Sequence, residues 1–484
     1  MEKSKLDAKK LILGIAGIVV GIIIAFIPAP EGLAQPAMAI LGILVWAIFF
    51  WIGGVLPEAV TAMVMSTLFV LVGIKEVGIA QAFNAFSGAT IWLVIGAIGI
   101  GICMKQCGLL ERVSLLLLKL FPKSFFGRSL GLFISTFIVG PFIPSTMAKT
   151  GILSPIVRGI SENAGYKDES KPATGLFMAY WASLKSCSTM FITASVVSVA
   201  LVGMLPADVA AEFGIARWAL CTIPVVVPAL ILMFVFIVMY YGKGQGKKSQ
   251  ADSKAEAASA TKDYIEQRLE EMGKWTKKEV IMAIIVVVVV IVWLTKSMTG
   301  IPEWAATLVA LALGFLFKVV DIKTFRTQTS WETIIFVGCA ISIANVFSAA
   351  GINAWLTSAL GPVTGGFFAN PFILVIGVAV FTYLVRFVIV SESGFLAIAT
   401  AVLFPLSLAA GVNPWVVAVV LNAFTNTFQI PYQSSLLIGT VGVMGEGFIK
   451  YSETSKFNVV FCIAMLIGCL IAVPVWMGMG IFYI

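Results

Sequence analysis

The feature that most constrains this chain is a succession of apolar stretches, about twenty residues long with their flanks, that carry no charge. Leu11 to Ile27, Ala37 to Trp51, Val280 to Leu294 and Phe457 to Ile484 are examples. A helix of that length crosses roughly 30 Å of hydrocarbon, and no soluble fold needs so many. Composition agrees: 60% of residues are hydrophobic and 12% charged, where a soluble domain is about half apolar and a quarter charged. The sequence therefore predicts an all-α, multi-pass membrane protein with the lipid bilayer as its solvent.

The first ten residues hold Lys3, Lys5, Lys9 and Lys10 before an apolar run. The run is long and is followed by further spans, so it is expected to be a retained first helix rather than a cleaved signal. The net charge of +8 does not call for nucleic acid, because the basic residues lie in short segments between apolar runs and serve orientation. Placing those segments inside gives a cytoplasmic N-terminus and an external C-terminus. The inside set is Lys105 to Arg128, Arg158 to Lys171, Lys243 to Lys278, Lys318 to Arg326 and Lys450 to Lys456. Pro28 to Pro36, Leu205 to Gly214 and Ile352 to Asn370 then read as outside loops. No histidine occurs, and the seven cysteines (103, 107, 187, 221, 339, 462 and 469) sit mostly in apolar runs. Neither a metal site nor a disulfide nor any cofactor is expected.

That topology holds only if residues 129–162 and 370–411 each enter and leave on one side. Their middles are polar and helix-breaking: Gly140, Pro141, Pro144, Ser145 and Thr146 in the first, Ser391, Glu392, Ser393 and Gly394 in the second. Both read as re-entrant hairpins, whose non-helical tips must be covered by protein or line a cavity. About eleven transmembrane helices accompany them. Residues 243–278 read as a cytoplasmic linker with a short helix between Asp263 and Met272. Its tract Gly242-Lys243-Gly244-Gln245-Gly246-Lys247-Lys248 lacks phosphate-loop spacing and reads as a tether.

Setting the second half beneath the first brings Pro57-Glu58 onto Pro302-Glu303, Thr90-Ile91 onto Thr333-Ile334 and Gly108 onto Gly351. Ser145 meets Ser391, and Ser188-Thr189 meets Ser434-Ser435. The organisation expected is residues 1–36 as N-terminus and first helix, 37–242 as one repeat, 243–278 as linker and 279–484 as a second repeat. Each repeat has five helices, an odd number, so the copies are inverted. Inverted repeats with interrupted helices meeting at the bilayer midplane are a secondary-transporter architecture.

The spans after each hairpin are interrupted too, around Lys185-Ser186-Cys187-Ser188-Thr189 and from Asn422 to Ser435. Exposed helix N-termini suit an anion. The alternative is that these hydroxyls only bond neighbouring helices. The candidate substrate-binding set is Ser145, Thr146, Ser188, Thr189, Ser391, Glu392, Ser393, Ser434 and Ser435. Lys149, Lys185 and Arg386 accompany them, each costing about 2.5 to 3.5 kcal/mol at a helix centre and so needing a partner or a purpose. They either form internal ion pairs, such as Arg386 with Glu392, or leave net positive charge to receive carboxylates. A channel would show a continuous polar lining, and an intramembrane enzyme would need acid, base or nucleophile candidates that are absent here.

The whole pattern resembles the divalent anion:sodium symporter family of dicarboxylate and citrate transporters. The resemblance implies Ser-Asn-Thr tip motifs that bind carboxylates and help enclose sodium, a homodimer, and elevator-type movement of a transport domain. By position the tip motifs correspond to Ser145-Thr146-Met147 and Ser391-Glu392-Ser393. Both asparagines are missing, and Lys149 and Lys185 lie where the resemblance implies a sodium site. A fixed ammonium replacing the ion predicts a sodium-independent exchanger of succinate, malate, 2-oxoglutarate or citrate; a sodium-coupled symporter is the alternative, and an anion channel a more distant one.

Overall fold

The computed structural model describes residues 8–243 and 263–484. Lys3, Lys5 and the tether residues Gly244 to Lys248 lie outside the described residues. Among those described, the chain is helical without a strand, with one isolated bridge between Val412 and Tyr483. Seven of the described helices are long and apolar enough to cross a bilayer, among them Gln35–Gly53, Ala89–Gln106, Trp331–Ala349 and Tyr451–Gly478. The molecular surface carries large apolar side chains such as Ile12, Ile22, Phe26, Ile231, Ile284 and Ile463. In water such a surface would aggregate; in lipid it is solvated.

The helix Ala8–Phe26 packs against Gln35–Gly53 through glycines. A Cβ on Gly42 would stand 2.3 Å from the Gly21 carbonyl oxygen, so only glycine permits this approach of two backbones. The turn that follows has a counterpart in the second half. Pro57 and Pro302 each precede a helix, Glu58–Leu71 and Glu303–Leu316. In both, an indole N–H donates to the carbonyl of the first glutamate: Trp51 to Glu58 at 3.3 Å and Trp293 to Glu303 at 3.4 Å. Further on, Gly108 and Gly351 adopt φ of 81° and 74° between helices, a conformation a side chain would strain.

Two helix–tip–helix segments carry the next correspondence. In the first, Phe125–Val139 leads through a tip to Thr146–Asn163; in the second, Pro371–Val385 leads to Glu392–Ala409. The lengths agree, 15 then 18 residues in each. Each is followed by an interrupted helix: Lys171–Met190 and Val196–Met204 in the first half, Pro414–Thr425 and Ser435–Met444 in the second. The partners cross over. The arm Thr146–Asn163 lies along Ser435–Met444, and Glu392–Ala409 lies along Val196–Met204, where the Thr400 hydroxyl donates to Met204 Sδ at 3.4 Å.

Several segments expected as loops contain helices, among them Leu205 to Gly214 and Lys318 to Arg326. Ile352–Ala369 forms a helix through Pro362. Lys105 to Arg128 contains the amphipathic helix Leu109–Lys119, whose leucines bury one face. Against the expectation that basic residues beside apolar runs serve topology, Arg112 and Arg128 are buried: Arg112 pairs with Glu279 at 2.6 Å and Arg128 with Asp263 at 2.8 Å. Arg112 also donates to the carbonyls of Gly273 and Met272. The expected linker helix is present as Tyr264–Met272. It is held on the first half by these pairs, by Arg268 to Glu111 at 2.6 Å, and by Tyr264 packed over Gly159.

Candidate functional site

Four helices begin at the two tips and the two interruptions, and all four are capped by serine. Ser145, Ser195, Ser391 and Ser434 accept from the backbone N–H groups of Ala148, Val197, Gly394 and Leu437 at 3.0 to 3.2 Å. A serine that accepts this bond keeps its own proton for another acceptor, and the helix end adds a partial positive charge. Thr146 and Ser393 follow in the first turns, half-buried like Ser145 and Ser391, while Ser435 is exposed.

Ser188 and Thr189 occupy a different place from the one expected. They lie in the last turn of Lys171–Met190, and the interruption begins only at Phe191. The repeat register matches them to Ser434-Ser435, but the first interruption's capping serine is Ser195, which sequence reasoning missed. Its signal is the short run Phe191-Ile192-Thr193-Ala194 after a helix; the Ser-Thr doublet upstream draws the register away from it. Ser188 contributes its backbone instead: its carbonyl accepts from Ser198 Oγ at 2.7 Å and Asn422 Nδ2 at 3.1 Å, which joins the two interrupted helices.

Among the described residues, each half holds an enclosed cation between its tip and its interruption. Lys149, fully buried, donates to Ala194 O at 2.5 Å and Gly140 O at 3.4 Å. Arg386, 1% exposed, donates to Ile389 O at 3.0 Å, to Val390 O, and to Gln433 O at 3.0 Å. Carbonyl oxygens at frayed helix ends are orphan acceptors, so a cation there satisfies backbone that would otherwise lack partners. The pairing of Arg386 with Glu392 anticipated from sequence is replaced. Glu392 binds Lys185 across the halves, Nζ to Oε1 at 2.9 Å, while the terminal nitrogens of the guanidinium are taken by backbone carbonyls. Lys185 also lies 5.6 Å from the Trp181 ring centroid.

Lys149, Lys185, Arg386 and Glu392 thus link the tips and the interruptions. Tip and interruption of each half are joined by Lys149 and by Arg386, the second tip reaches the first interrupted helix through Lys185, and Asn422 closes the circuit. A cavity of about 660 Å³ lies elsewhere. It runs between the arm Glu392–Ala409, the helix Val196–Met204 and the helices Ala89–Gln106 and Trp331–Ala349, past Thr90, Gly203, Asn345, Thr400 and the Lys296–Glu303 pair. None of the three network cations lines it.

Residues 8–482 match the family model of the sodium:sulfate symporter transmembrane region. The chain belongs to the divalent anion:sodium symporter family. Among relatives of this family, the chain is similar to the putative malate transporter YflS of Bacillus subtilis, 29% identical over 76% of this chain and 75% of that one. It is also similar to the citrate/succinate antiporter of Escherichia coli, 25% identical over 82% of each. Its fold is similar to that of the YdaH transporter of Alcanivorax borkumensis, with a TM-score of 0.52 at 13% identity over 98% of this chain and 97% of that one. The symporter family and these relatives are membrane transporters rather than enzymes.

Proposed function

We propose that this chain is a sodium-independent exchanger of small di- and tricarboxylates such as succinate, malate, 2-oxoglutarate and citrate. The observation that carries the reading is the pair of enclosed cations, Lys149 and Arg386, each held by backbone carbonyls between a tip and an interruption. A mobile sodium ion would seek such carbonyls; here a side chain already occupies them. A permanent charge disfavours return of the empty carrier across hydrocarbon, and a bound carboxylate offsets it, so inward and outward steps are coupled. The relative named as a citrate/succinate antiporter supports exchange, and that named as a malate transporter supports the substrate class.

The substrate carboxylates lie at the serine-capped helix ends, with Ser145, Thr146, Ser391, Ser393, Ser434 and Ser435 as ligands and Ser195 added to them. Glu392 serves as counter-charge to Lys185. Corresponding tips, caps and indole-bonded turns support two inverted repeats, residues 37–242 and 279–484, joined by a cytoplasmic linker and preceded by residues 1–36, with hairpins at 129–162 and 370–411. The N-terminus is cytoplasmic and the C-terminus external. A homodimer scaffold carries the tip-bearing helices, which slide against it as an elevator.

Counterflow in proteoliposomes tests this. Succinate uptake is expected to require a dicarboxylate inside and to be indifferent to sodium; equal uptake into unloaded vesicles overturns exchange, and uptake that saturates with sodium restores the symporter.

A further inference from the structure

The cavity beside Thr90 and Thr400 has walls from two sets of helices. One wall belongs to the tip-bearing segments: the arm Glu392–Ala409, the helix Val196–Met204 and Ile192 of the first interruption. The other is formed by Ala89–Gln106 and Trp331–Ala349, with Asn353 on the helix that follows. The walls touch closely at Gly203, where a Cβ would stand 2.6 Å from Ile341 Cδ1 and 2.8 Å from Thr90 Cγ2. Beside that contact they part around about 660 Å³, within the roughly 300 to 1,000 Å³ of small-molecule sites.

The lining selects the class of ligand. Among the described residues its only charged side chains are Lys296 and Glu303, and they neutralise each other, with Lys296 Nζ 2.8 Å from both carboxylate oxygens. A dicarboxylate entering here would leave water without gaining an unbalanced cation, so the transported substrate is the wrong ligand. Most of the remaining wall is apolar, including Leu93, Val199, Phe404 and Leu408. Uncharged polar groups complete it, and one of them lacks a partner: Asn353 Oδ1 is enclosed with no hydrogen bond among the described residues. A bare enclosed acceptor calls for a donor. The medium around this apolar molecule is lipid, which supplies molecules with a long apolar body and a hydroxyl head. We propose that the cavity is a binding site for an uncharged, hydroxyl-bearing membrane amphiphile of the monoacylglycerol class, its hydroxyl donating to Asn353 and its chain lying between the two walls. Once occupied, the cavity wedges the tip-bearing wall against its neighbours, and exchange slows without competition for the tips. That effect, unlike the binding, rests on the sliding movement proposed above.

Photolabelling tests the binding without transport. The full chain is reconstituted with a monoacylglycerol that carries a diazirine in its acyl chain, and the labelled residues are mapped. Label is expected on Val196–Met204 and Trp331–Ala349, chased by unlabelled 1-oleoylglycerol and not by succinate. Label confined to lipid-facing residues such as Ile12, Ile22 and Phe26 overturns the site, and chase by succinate overturns the ligand class by making the cavity part of the substrate's path. Ala344 lines the cavity, and Ala344→Phe, which places a ring in it, is expected to reduce this labelling about tenfold. Asn353→Leu, close in volume, should reduce it about fivefold, the scale of one hydrogen bond. Should the phenylalanine variant fail to fold, the leucine variant carries the measurement, and undiminished labelling in it overturns the proposal. In counterflow, 1-oleoylglycerol in the vesicle lipid is expected to lower the maximal rate of succinate exchange about fivefold at unchanged KM; a raised KM instead, or no change in either, overturns the wedge. Failure of wild-type counterflow alongside chased label in the cavity would sink the exchange reading alone and leave the site standing.

Discussion

The two tips share a cap, a pair of arm lengths and an enclosed cation, and they differ in how that cation is balanced. At the first tip Lys149 touches carbonyls of its own half, and no carboxylate among the described residues pairs with it. At the second, Arg386 likewise holds backbone, but the tip also carries a carboxylate, Glu392, tied to Lys185 of the other half. The cation of the first tip is self-contained, bonded within its own half, while the charge of the second tip is balanced from the other half. Similar backbones have been given unlike charge environments, and the unlike part is where control of movement would reside.

The largest expected effect tests the self-contained tip. Lys149→Met removes the fully buried cation that joins the first tip to its interruption, and succinate exchange should fall about a hundredfold or more, the scale of breaking a buried charged contact. Arg386→Met, with Lys185 close to the same tip, should cost about tenfold; equal losses in the two would erase the asymmetry. Next comes the bridge between halves. Lys185→Met leaves the Glu392 carboxylate without its counter-charge and should lower the thermal midpoint of the purified protein by several degrees, about 2 to 4 °C per kcal/mol lost. Adding Glu392→Leu should restore most of it, and a double variant no better than the single would show the pair to be uncoupled. Smallest are the hydroxyls. Ser195→Ala and Ser434→Ala should each weaken succinate by about fivefold through loss of a cap, and Ser188→Ala, at a helix end with its carbonyl as the working group, by less than about twofold. A Ser188 effect matching that of Ser195 would return the site to the register read from sequence.

Much of this arrangement is legible in the sequence, and the reasons are physical. Uncharged runs reveal spans because lipid tolerates little else, and the tips announce themselves by Pro, Gly and Ser where an apolar helix should continue. Lys149, Lys185, Arg386 and Glu392 stand out because charge in such surroundings demands a partner. The partner itself is hidden: Lys185 and Glu392 are 207 residues apart, and sequence offers a nearer mate in Arg386. Ser195 is hidden for another reason. The first interruption spans Phe191 to Ser195, whereas the second runs from Asn426 to Ser434, so a constant offset aligns a helix end with a helix start. The burial of Arg112 and Arg128 escapes sequence reading because a basic residue at the edge of an apolar run looks the same whether it faces water or a buried carboxylate.

The anchoring of Asp263 and Glu279 on Arg128 and Arg112 has a consequence for assembly. Residues that begin the second half carry their own address on the first, written in two enclosed ion pairs and the carbonyls of Met272 and Gly273. A gene cut within residues 244–262 and expressed as two fragments therefore has a built-in means of finding the right mate in the right register, with the covalent join contributing proximity rather than instruction.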